Sequence, residues 1–174
     1  MKLTPYAKNG LILALVVLIL DQLSKWWILE VFQLPQKGSV EILPFLNFTM
    51  VWNRGVSMGL FAAEGDLGRW VLVVITSIVT IGLIVWLVRG ADKWLSLALG
   101  GMIGGAIGNI IDRSLYGAVA DFIHLHAFNW SFYVFNVSDA MISLGVIFLL
   151  LDGLRSDEKS PTRDENKSGQ DSSD

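Results

Sequence analysis

The chain has 174 residues, of which 53% are hydrophobic and 17% are charged, and its mean hydropathy is +0.54. Soluble domains carry about a quarter charged residues, so the composition excludes an ordinary soluble globule and predicts a small membrane protein of one domain. The absence of cysteine excludes disulfides, thiol catalysis and thiolate metal sites, and no basic stripe for nucleic acid is present. The formal net charge of −3 says little about partners, because six of the sixteen acidic residues lie in the last twenty.

Four apolar runs approach the roughly 20 residues that a helix needs to cross a bilayer. They are residues 10–29, 70–88, 94–111 and 138–154, and several begin or end with Trp, as is typical of a membrane interface. The first run could instead be a cleaved signal peptide, but no small-x-small site follows and the helical pattern continues to Leu29. We therefore expect residues 1–154 to form a four-helix membrane domain.

The positions of Lys and Arg predict the orientation of these helices. Basic residues precede the first helix, lie in the turn between the second and third, and follow the fourth: Lys2, Lys8, Arg89, Lys93, Arg155, Lys159, Arg163 and Lys167. If these flanks are cytoplasmic, both termini are cytoplasmic and segments 30–69 and 112–137 face outward. The polar residues 155–174 are expected to be a disordered cytoplasmic tail.

The outward segments contain patterns typical of regular structure. Residues 39–53 and 130–135 are rich in β-branched and aromatic residues next to turn formers, which predicts short strands. Residues 62–70 have the pattern of a short amphipathic turn lying on the membrane surface.

Two charged residues fall within the first apolar run. Asp21 lies more than halfway along the predicted helix, where an Asp costs about 2.5–3.5 kcal/mol on insertion scales. Lys25 follows four residues later, so the two share a helix face and can form an ion pair. A structural salt bridge, with Lys25 reaching the outer surface, is favoured over direct chemistry.

The third apolar run ends in polar residues that also share one face. Asn109, Asp112 and Arg113 have spacings of three and four, which fits an Arg–carboxylate pair fixing the helix end or a shell supporting a substrate. In the same helix Gly100, Gly104 and Gly108 recur every four residues, which predicts close helix packing.

Two further carboxylates are predicted at the outer interface. Asp121 follows the third helix by about ten residues, and Asp139 begins the fourth. If they meet, they would share one proton and act as acid and base on a water molecule. Alternatively, Asp139 is a helix cap in competition with Ser138 and Asp121 is a turn residue. His124 and His126 alternate as on a strand, and a polar role at the interface is favoured over a metal site.

Five short motifs then occur together in one order and spacing. "LDQLSKWW", "NRG", "GGAIGNIIDR", "GAVADFI" and "FNVSDA" resemble those of the lipoprotein signal peptidase family, also called signal peptidase II. The resemblance covers residues 11–153. It departs from the usual family pattern at "VSMGLF" (56–61), which bears on the substrate groove, and at single residues before the two carboxylates.

The resemblance implies a fold class, an activity and a set of site residues. The fold would be an all-α integral membrane protein of four transmembrane helices, with a small extracytoplasmic β-cradle and a short surface helix. The activity would be that of an aspartic endopeptidase that removes signal peptides from prolipoproteins on the amino side of the diacylglyceryl cysteine. The catalytic pair would be Asp121 and Asp139. The substrate-binding or supporting positions would be Asp21, Lys25, Asn53, Gly55, Gly108, Asn109, Asp112, Arg113, Asn136 and Ala140.

The expected setting follows from the same resemblance. The enzyme would act at the outer face of the bacterial cytoplasmic membrane on diacylglyceryl prolipoproteins, in contact with membrane lipid. We expect no metal or other cofactor, and a monomer, because one chain holds every expected residue. Two rival hypotheses are a proton-coupled carrier, which requires ionisable residues near the bilayer midplane, and a structural membrane module, in which Asp→Asn changes at 121 and 139 would leave function intact.

Overall fold

Four long helices dominate the computed structural model, which describes residues 3–55, 66–128 and 130–157, apart from the side chains of Asp66 and residues 155–157. The helices are α1 (Pro5–Trp26, continued by a π-helical turn Trp27–Val31), α3 (Asp66–Gly90), α4 (Lys93–Tyr116) and α5 (Val137–Asp157). A short helix, α2 (Leu34–Lys37), follows α1. Each long helix has the length and hydropathy to cross a membrane, which confirms the predicted four spans.

The long helices extend beyond the predicted apolar runs, because they begin at polar capping residues that lie outside those runs. Thr4 accepts a hydrogen bond from the backbone N–H of Ala7 (3.1 Å), and Asp92 accepts one from Leu95 (2.9 Å). These side chains satisfy amide groups that a helix start leaves unpaired. Helix α5 continues through Asp157, three residues beyond the predicted fourth apolar run. Residues 158–174 lie outside the described residues.

Small residues bring α4 against α1 at the centre of the bundle. A Cβ atom at Gly100 would meet the backbone of Gly10, and one at Gly104 would meet the backbone of Ala14. The predicted packing role of the glycine repeat is therefore confirmed. Accordingly, 61% of the α4 span is buried, whereas only 11% of the α3 and α5 spans is buried, so their apolar side chains face outward as lipid would require.

A four-stranded antiparallel sheet covers one end of the bundle, which we call the sheet end. Its strands, in spatial order, are β1 (Ser39–Leu43), β2 (Leu46–Asn53), β3 (Val119–Ala127) and β4 (Trp130–Ser131). The strands predicted over residues 39–53 are confirmed as a hairpin. Of residues 130–135, only the first two belong to a strand, and Phe135 forms an isolated bridge to β3. An all-α class is consequently too narrow, and the protein is mostly helical with a small sheet.

The predicted surface turn over residues 62–70 is corrected in part. Residues 66–70 form the first turns of α3, because the apolar pattern of that span already begins at Leu67. Residues 62–65 lie outside the described residues. The short helix at the sheet end is α2 instead, where Leu34 is fully buried against Ile28 and Phe122. This cluster attaches the sheet to the end of α1.

Candidate active site

The first half of strand β3 is held by α4 and by the residues just before α5. The Asp112 carboxylate on α4 accepts a hydrogen bond from the backbone N–H of Ala120 at 3.1 Å. On the other side, Phe135 and Ile123 exchange backbone hydrogen bonds of 2.8 and 3.0 Å. These bonds hold the residues just before α5 against β3. As a result, Asn136 and the start of α5 lie beside Asp121.

A β-bulge turns the end of β2 toward the same place. Phe48 pairs with Ile123, but Val51 pairs with Asp121, so the register shifts by one residue between the two pairs. A shift of one residue moves every later side chain to the opposite face of the sheet. The bulge therefore places Asn53 on the face of Asp121, to which its amide donates a hydrogen bond of 3.1 Å.

Asp121 is a buried carboxylate with two amide donors. Only 2% of the residue is exposed, and it accepts hydrogen bonds from Asn53 and, at 2.6 Å, from Asn136. Burial and the nearby negative charge of Asp139 raise the pKa of Asp121 from 3.8 to about 7, although the two amides and Lys25 oppose this rise. The carboxyl is thus poised between its two protonation states near neutral pH. Since Asp121 lies in a strand, the alternative that it is a turn residue is wrong.

Asp139 sits in the first turn of α5, half-buried. Asn136 accepts a hydrogen bond from the backbone N–H of Asp139 (2.9 Å), while the Asp139 carboxylate is 3.4 Å from the backbone N–H of Asn136. This reciprocal arrangement is a capping box, with Asn136 rather than Ser138 or Asp139 as the N-cap. The other carboxylate oxygen accepts a hydrogen bond of 2.8 Å from the Asn109 amide. Capping and a position at the site are therefore compatible.

Two asparagines link the two carboxylates. The Asn136 side chain donates to Asp121 and lies 3.3 Å from the side-chain oxygen of Asn109, whose own amide donates to Asp139. The predicted meeting of Asp121 with Asp139 is supported by this chain of contacts and by their mutual repulsion. The amides hold each carboxylate in place without adding charge.

A buried ionic cluster contacts the side chain of Asn109. The Lys25 ammonium lies 2.8 Å from Asp21, 2.8 Å from Asp112 and 3.3 Å from the side-chain oxygen of Asn109. The predicted Asp21–Lys25 pair is confirmed. The expectation that Lys25 reaches the surface is wrong, because it is only 3% exposed and its second carboxylate partner on α4 holds it inside. The cluster joins α1 to α4 at the height of the site.

Three further residues, which the sequence did not single out for this site, contribute contacts: Gln22 and Ser138 bond to the cluster, and Phe135 bonds to β3. The Gln22 side chain lies within hydrogen-bonding distance of Asp21 and Asp112, at 3.2 Å from each. The backbone N–H of Ser138 donates to Asp21 at 3.0 Å, and backbone atoms of Phe135 hold β3 as described above. Gln22 could have been found as a third polar residue in the first apolar run. The backbone contacts leave no signal in the sequence.

The remaining predicted site residues differ in how closely they join. A Cβ atom at Gly108 would collide with the side chains of Asp21 and Ser138, so one of these buried side chains would have to shift to admit it. The Gly55 N–H donates to Asn53 at 3.2 Å and orients its amide, and Ala140 donates a backbone hydrogen bond to Asn136 at 3.2 Å. These residues support the groups around the carboxylate pair and make no hydrogen bond to Asp121 or Asp139 in the described part of the chain.

Arg113 does not form the ion pair that its position predicted. Asp112 pairs with Lys25 instead, and the two ion pairs within the described residues are both made by Lys25. Arg113 still lies in the electrostatic field of Asp112, Asp121 and Asp139. Its buried Nε atom has no hydrogen-bond partner among the described residues. The Nε atom thus has an unused donor close to the three carboxylates.

His124 and His126 lie on β3, as their alternation predicted. His124 contacts the hydroxyls of Thr49 (3.3 Å) and Ser131 (2.8 Å), and His126 contacts the Asn47 amide oxygen (3.0 Å). They therefore hydrogen-bond across strands. Within the described ranges, no group of three or more His, Cys, Asp or Glu side chains could hold a metal ion.

The sequence of this chain is similar to one family model and to several proteins that share one name. The family model described as "Signal peptidase (SPase) II" matches residues 13–155. The chain is 51% identical to the "Lipoprotein signal peptidase" of Methylorubrum extorquens (strain PA1), over 90% of this chain and 92% of that protein. It is 48% identical to the protein of the same name from Methylobacterium radiotolerans, over 92% and 96% of the two chains.

Two solved structures share the fold. Both are described as bacterial membrane enzymes determined by the in meso method, one at 2.3 Å and the other at 1.9 Å resolution. The first is 29% identical, with a TM-score of 0.76 over 96% of this chain and 99% of that one. The second is 30% identical, with a TM-score of 0.75 over 89% and 98%.

Proposed function

The chain belongs to the signal peptidase II family, and we propose that Asp121 and Asp139 are its catalytic pair. Members of the family are aspartic endopeptidases that remove signal peptides from prolipoproteins, cutting on the amino side of the diacylglyceryl cysteine. One observation carries the assignment: two carboxylates from β3 and α5 are bridged by Asn136 and Asn109. Mutual repulsion and burial keep one proton on such a pair near neutral pH.

The proposed chemistry uses the pair as acid and base together. The ionised carboxylate takes a proton from a water molecule, which attacks the scissile carbonyl, while the protonated carboxyl polarises that carbonyl. The proton taken from water is then passed to the departing amide nitrogen. The pKa of about 7 at Asp121 fits the protonated partner, but the two groups titrate as one unit.

The surrounding amides and Arg113 have supporting roles in this proposal. Asn109 and Asn136 donate to the carboxylates and hold them in place. Asn53 reaches Asp121 from the end of β2, next to the segment that departs from the family pattern. Residues 56–61 of that segment lie outside the described residues. The Arg113 guanidinium provides donors for substrate carbonyl groups at the edge of the site.

The proposed orientation places the sheet end outside the bacterial cytoplasmic membrane. The basic residues Lys8, Arg89 and Lys93 lie at the opposite end of α1, α3 and α4 from the sheet, as the positive-inside rule requires. Both termini would then be cytoplasmic, and the carboxylates would lie at the outer interface, where a lipidated cysteine is held. We propose that the chain acts as a monomer, because a single chain provides both carboxylates and their supporting amides.

The two rival hypotheses fit the contacts less well. A carrier needs ionisable groups that exchange with a pathway near the midplane, whereas Asp21 and Lys25 are locked in a buried cluster with Asp112. A purely structural module gives no reason for a carboxylate at the membrane edge whose pKa is raised by burial and by a second carboxylate.

The test is cleavage of a diacylglyceryl prolipoprotein by the purified protein in detergent, followed by mass spectrometry. We expect release of the signal peptide before the lipidated cysteine, and loss of cleavage in Asp121→Asn and in Asp139→Asn. The matched control is Asp92→Asn, because Asp92 caps α4 at the other end of the bundle and Asn caps equally well.

Each outcome separates the hypotheses. Cleavage abolished by both site variants, with Asp92→Asn active and all three folded, supports the assigned pair. A double variant no slower than either single variant supports action as a unit, whereas additive losses contradict it. Cleavage that survives both changes would move the active site elsewhere in the same peptidase.

A further inference from the structure

The sheet carries a second concave surface on the face opposite Asp121. After the bulge, Asn53 and Asp121 share one face, so the alternation of β2 turns Trp52 and Arg54 to the other. There they border a cavity of about 230 Å³, which is also lined by Tyr116 and Ala118. The cavity is therefore separate from the carboxylate pair, although it shares β2 with it.

The lining of this cavity combines a cation with aromatic rings. The Trp52 and Tyr116 rings lie 5.6 Å apart at an angle of 51°, and both are more than a third exposed. Arg54 is exposed, and it makes no ion pair with any carboxylate in the described part of the chain. A guanidinium next to amphipathic rings suits a phosphate ester, to which it can donate two parallel hydrogen bonds.

A second guanidinium approaches the rim of the cavity. Gly117, between Tyr116 and Ala118, has a left-handed φ of +76°, and the Arg69 Nη1 atom lies 3.3 Å from the point that a Cβ there would occupy. Arg69 also stacks on Trp70, with its guanidinium 4.9 Å from the ring centroid. The Arg69 side chain therefore lies near the cavity on the side where α3 begins and α4 ends.

The position of the cavity identifies the source of the phosphate. Tyr116 is the last residue of the apolar α4 span, and Arg69 lies three residues into α3, so the cavity opens at the level where bilayer and water meet. Trp, Tyr and Arg are the side chains that settle at lipid headgroups. A volume of 230 Å³ holds roughly eight water molecules, which is enough for a phosphate and part of a glycerol but not for acyl chains.

We propose that this cavity, lined by Trp52, Arg54, Tyr116 and Ala118, binds the phosphate headgroup of a membrane glycerophospholipid. The acyl chains of the lipid extend along the exposed apolar surface of α3. The proposed peptidase substrate carries a diacylglyceryl group without phosphate, so the cationic cavity selects a different lipid from the substrate. The site is accordingly a lipid site of the enzyme and not a second substrate site.

The test compares three probes on the full chain, purified and stripped of lipid in detergent. They are phosphatidylglycerol, diacylglycerol with the same acyl chains, and inorganic phosphate, with bound lipid counted by native mass spectrometry and midpoints taken from thermal unfolding. We expect phosphatidylglycerol to bind and to raise the midpoint. We expect Arg54→Gln to weaken this binding about tenfold or more, as loss of a charge-assisted pair would.

Matched variants make the result specific. Lys37→Gln removes another exposed cation from the same segment, one that lies over the Phe32 ring, and should bind phosphatidylglycerol like the parent. Trp52→Leu removes the ring and should weaken binding independently, so the proposal stays testable if Arg54→Gln is unstable. Equal phosphatidylglycerol binding by the parent, Arg54→Gln and Trp52→Leu would overturn the proposal.

The other two probes decide the chemistry. If diacylglycerol binds as tightly as phosphatidylglycerol, and Arg54→Gln and Trp52→Leu weaken both alike, the cavity does not recognise the phosphate and the headgroup assignment is wrong. If inorganic phosphate raises the midpoint as much as phosphatidylglycerol does, the site takes a free anion and the lipid assignment is wrong. Because none of these readouts is peptide cleavage, failure here leaves the proposed function untouched.

Discussion

Lys25→Met tests whether the buried ionic cluster holds the bundle and the site together. Methionine keeps the length and apolar stem of lysine but removes the charge that lies 2.8 Å from both Asp21 and Asp112. These carboxylates are 0% and 1% exposed, so water cannot replace the lost ammonium. Breaking a buried ion pair by removing one partner costs about 3–5 kcal/mol, because a buried charge is left uncompensated.

The loss should appear in thermal unfolding of the detergent-solubilised protein, followed by tryptophan fluorescence. A loss of that size lowers the midpoint by roughly 10 °C in a protein of this length. Asp21→Asn should cost less, since Lys25 keeps Asp112 as a partner, and the double variant should be more stable than Lys25→Met alone. Lys37→Met, at an exposed site, should change the free energy of unfolding by less than about 1 kcal/mol.

The same variant should slow peptide cleavage even where it remains folded. Lys25 contacts the side-chain oxygen of Asn109, and this contact turns the amide of Asn109 toward Asp139. Without it the amide can flip and present its oxygen to a carboxylate. A Lys25→Met protein as stable and as active as Lys37→Met would refute the argument.

Three further predictions follow from the site. The free energy of unfolding should fall by at most about 4 kcal/mol as the pH rises from about 4 to about 7. The reason is that the pKa of Asp121 rises from its ordinary 3.8 to about 7 on folding, so the folded state binds the proton more tightly. Asp121→Asn should flatten this dependence in unfolding measured at several pH values, and an unchanged slope would contradict the prediction. Gly108→Ala should lower the free energy of unfolding by about 1–3 kcal/mol, because its Cβ atom would collide with buried side chains. Gly82→Ala is the control and should be near neutral, because no atom lies within 4 Å of a Cβ there. Equal effects of the two variants in thermal unfolding would show that the collision is relieved. Asn136→Ala removes a donor to Asp121, so the basic limb of kcat/KM should move to higher pH, and an unmoved limb would mean that the bond does not bear on the reacting state.

Much of the fold followed from local pattern. The four spans were predictable because crossing a bilayer demands long apolar runs, and the β1–β2 hairpin because β-branched residues flank a turn. The ends were predicted less well, since the caps at Thr4 and Asp92 are polar and the surface turn was confused with the start of α3. Helix ends depend on single hydrogen bonds, which composition does not reveal.

The Asp21–Lys25 pair was also predictable, because four residues make one helical turn. Its second partner, Asp112, was not, because a contact between α1 and α4 depends on how closely the glycines let the helices approach. This partner also explains why Lys25 stays buried and why Arg113 lacks the ion pair that its spacing predicted.

The sequence by itself determined which side chains we propose for the chemistry, through charged and amide residues at the edges of apolar runs and through motifs that resemble a known family. The tertiary structure alone decided how they meet. The bulge in β2 turns Asn53 toward Asp121, and the backbone bonds of Phe135 bring Asn136 to the same carboxylate. Both arrangements depend on backbone hydrogen bonds between residues far apart in the chain. Backbone groups are the same in almost every residue type, so the sequence does not reveal these bonds.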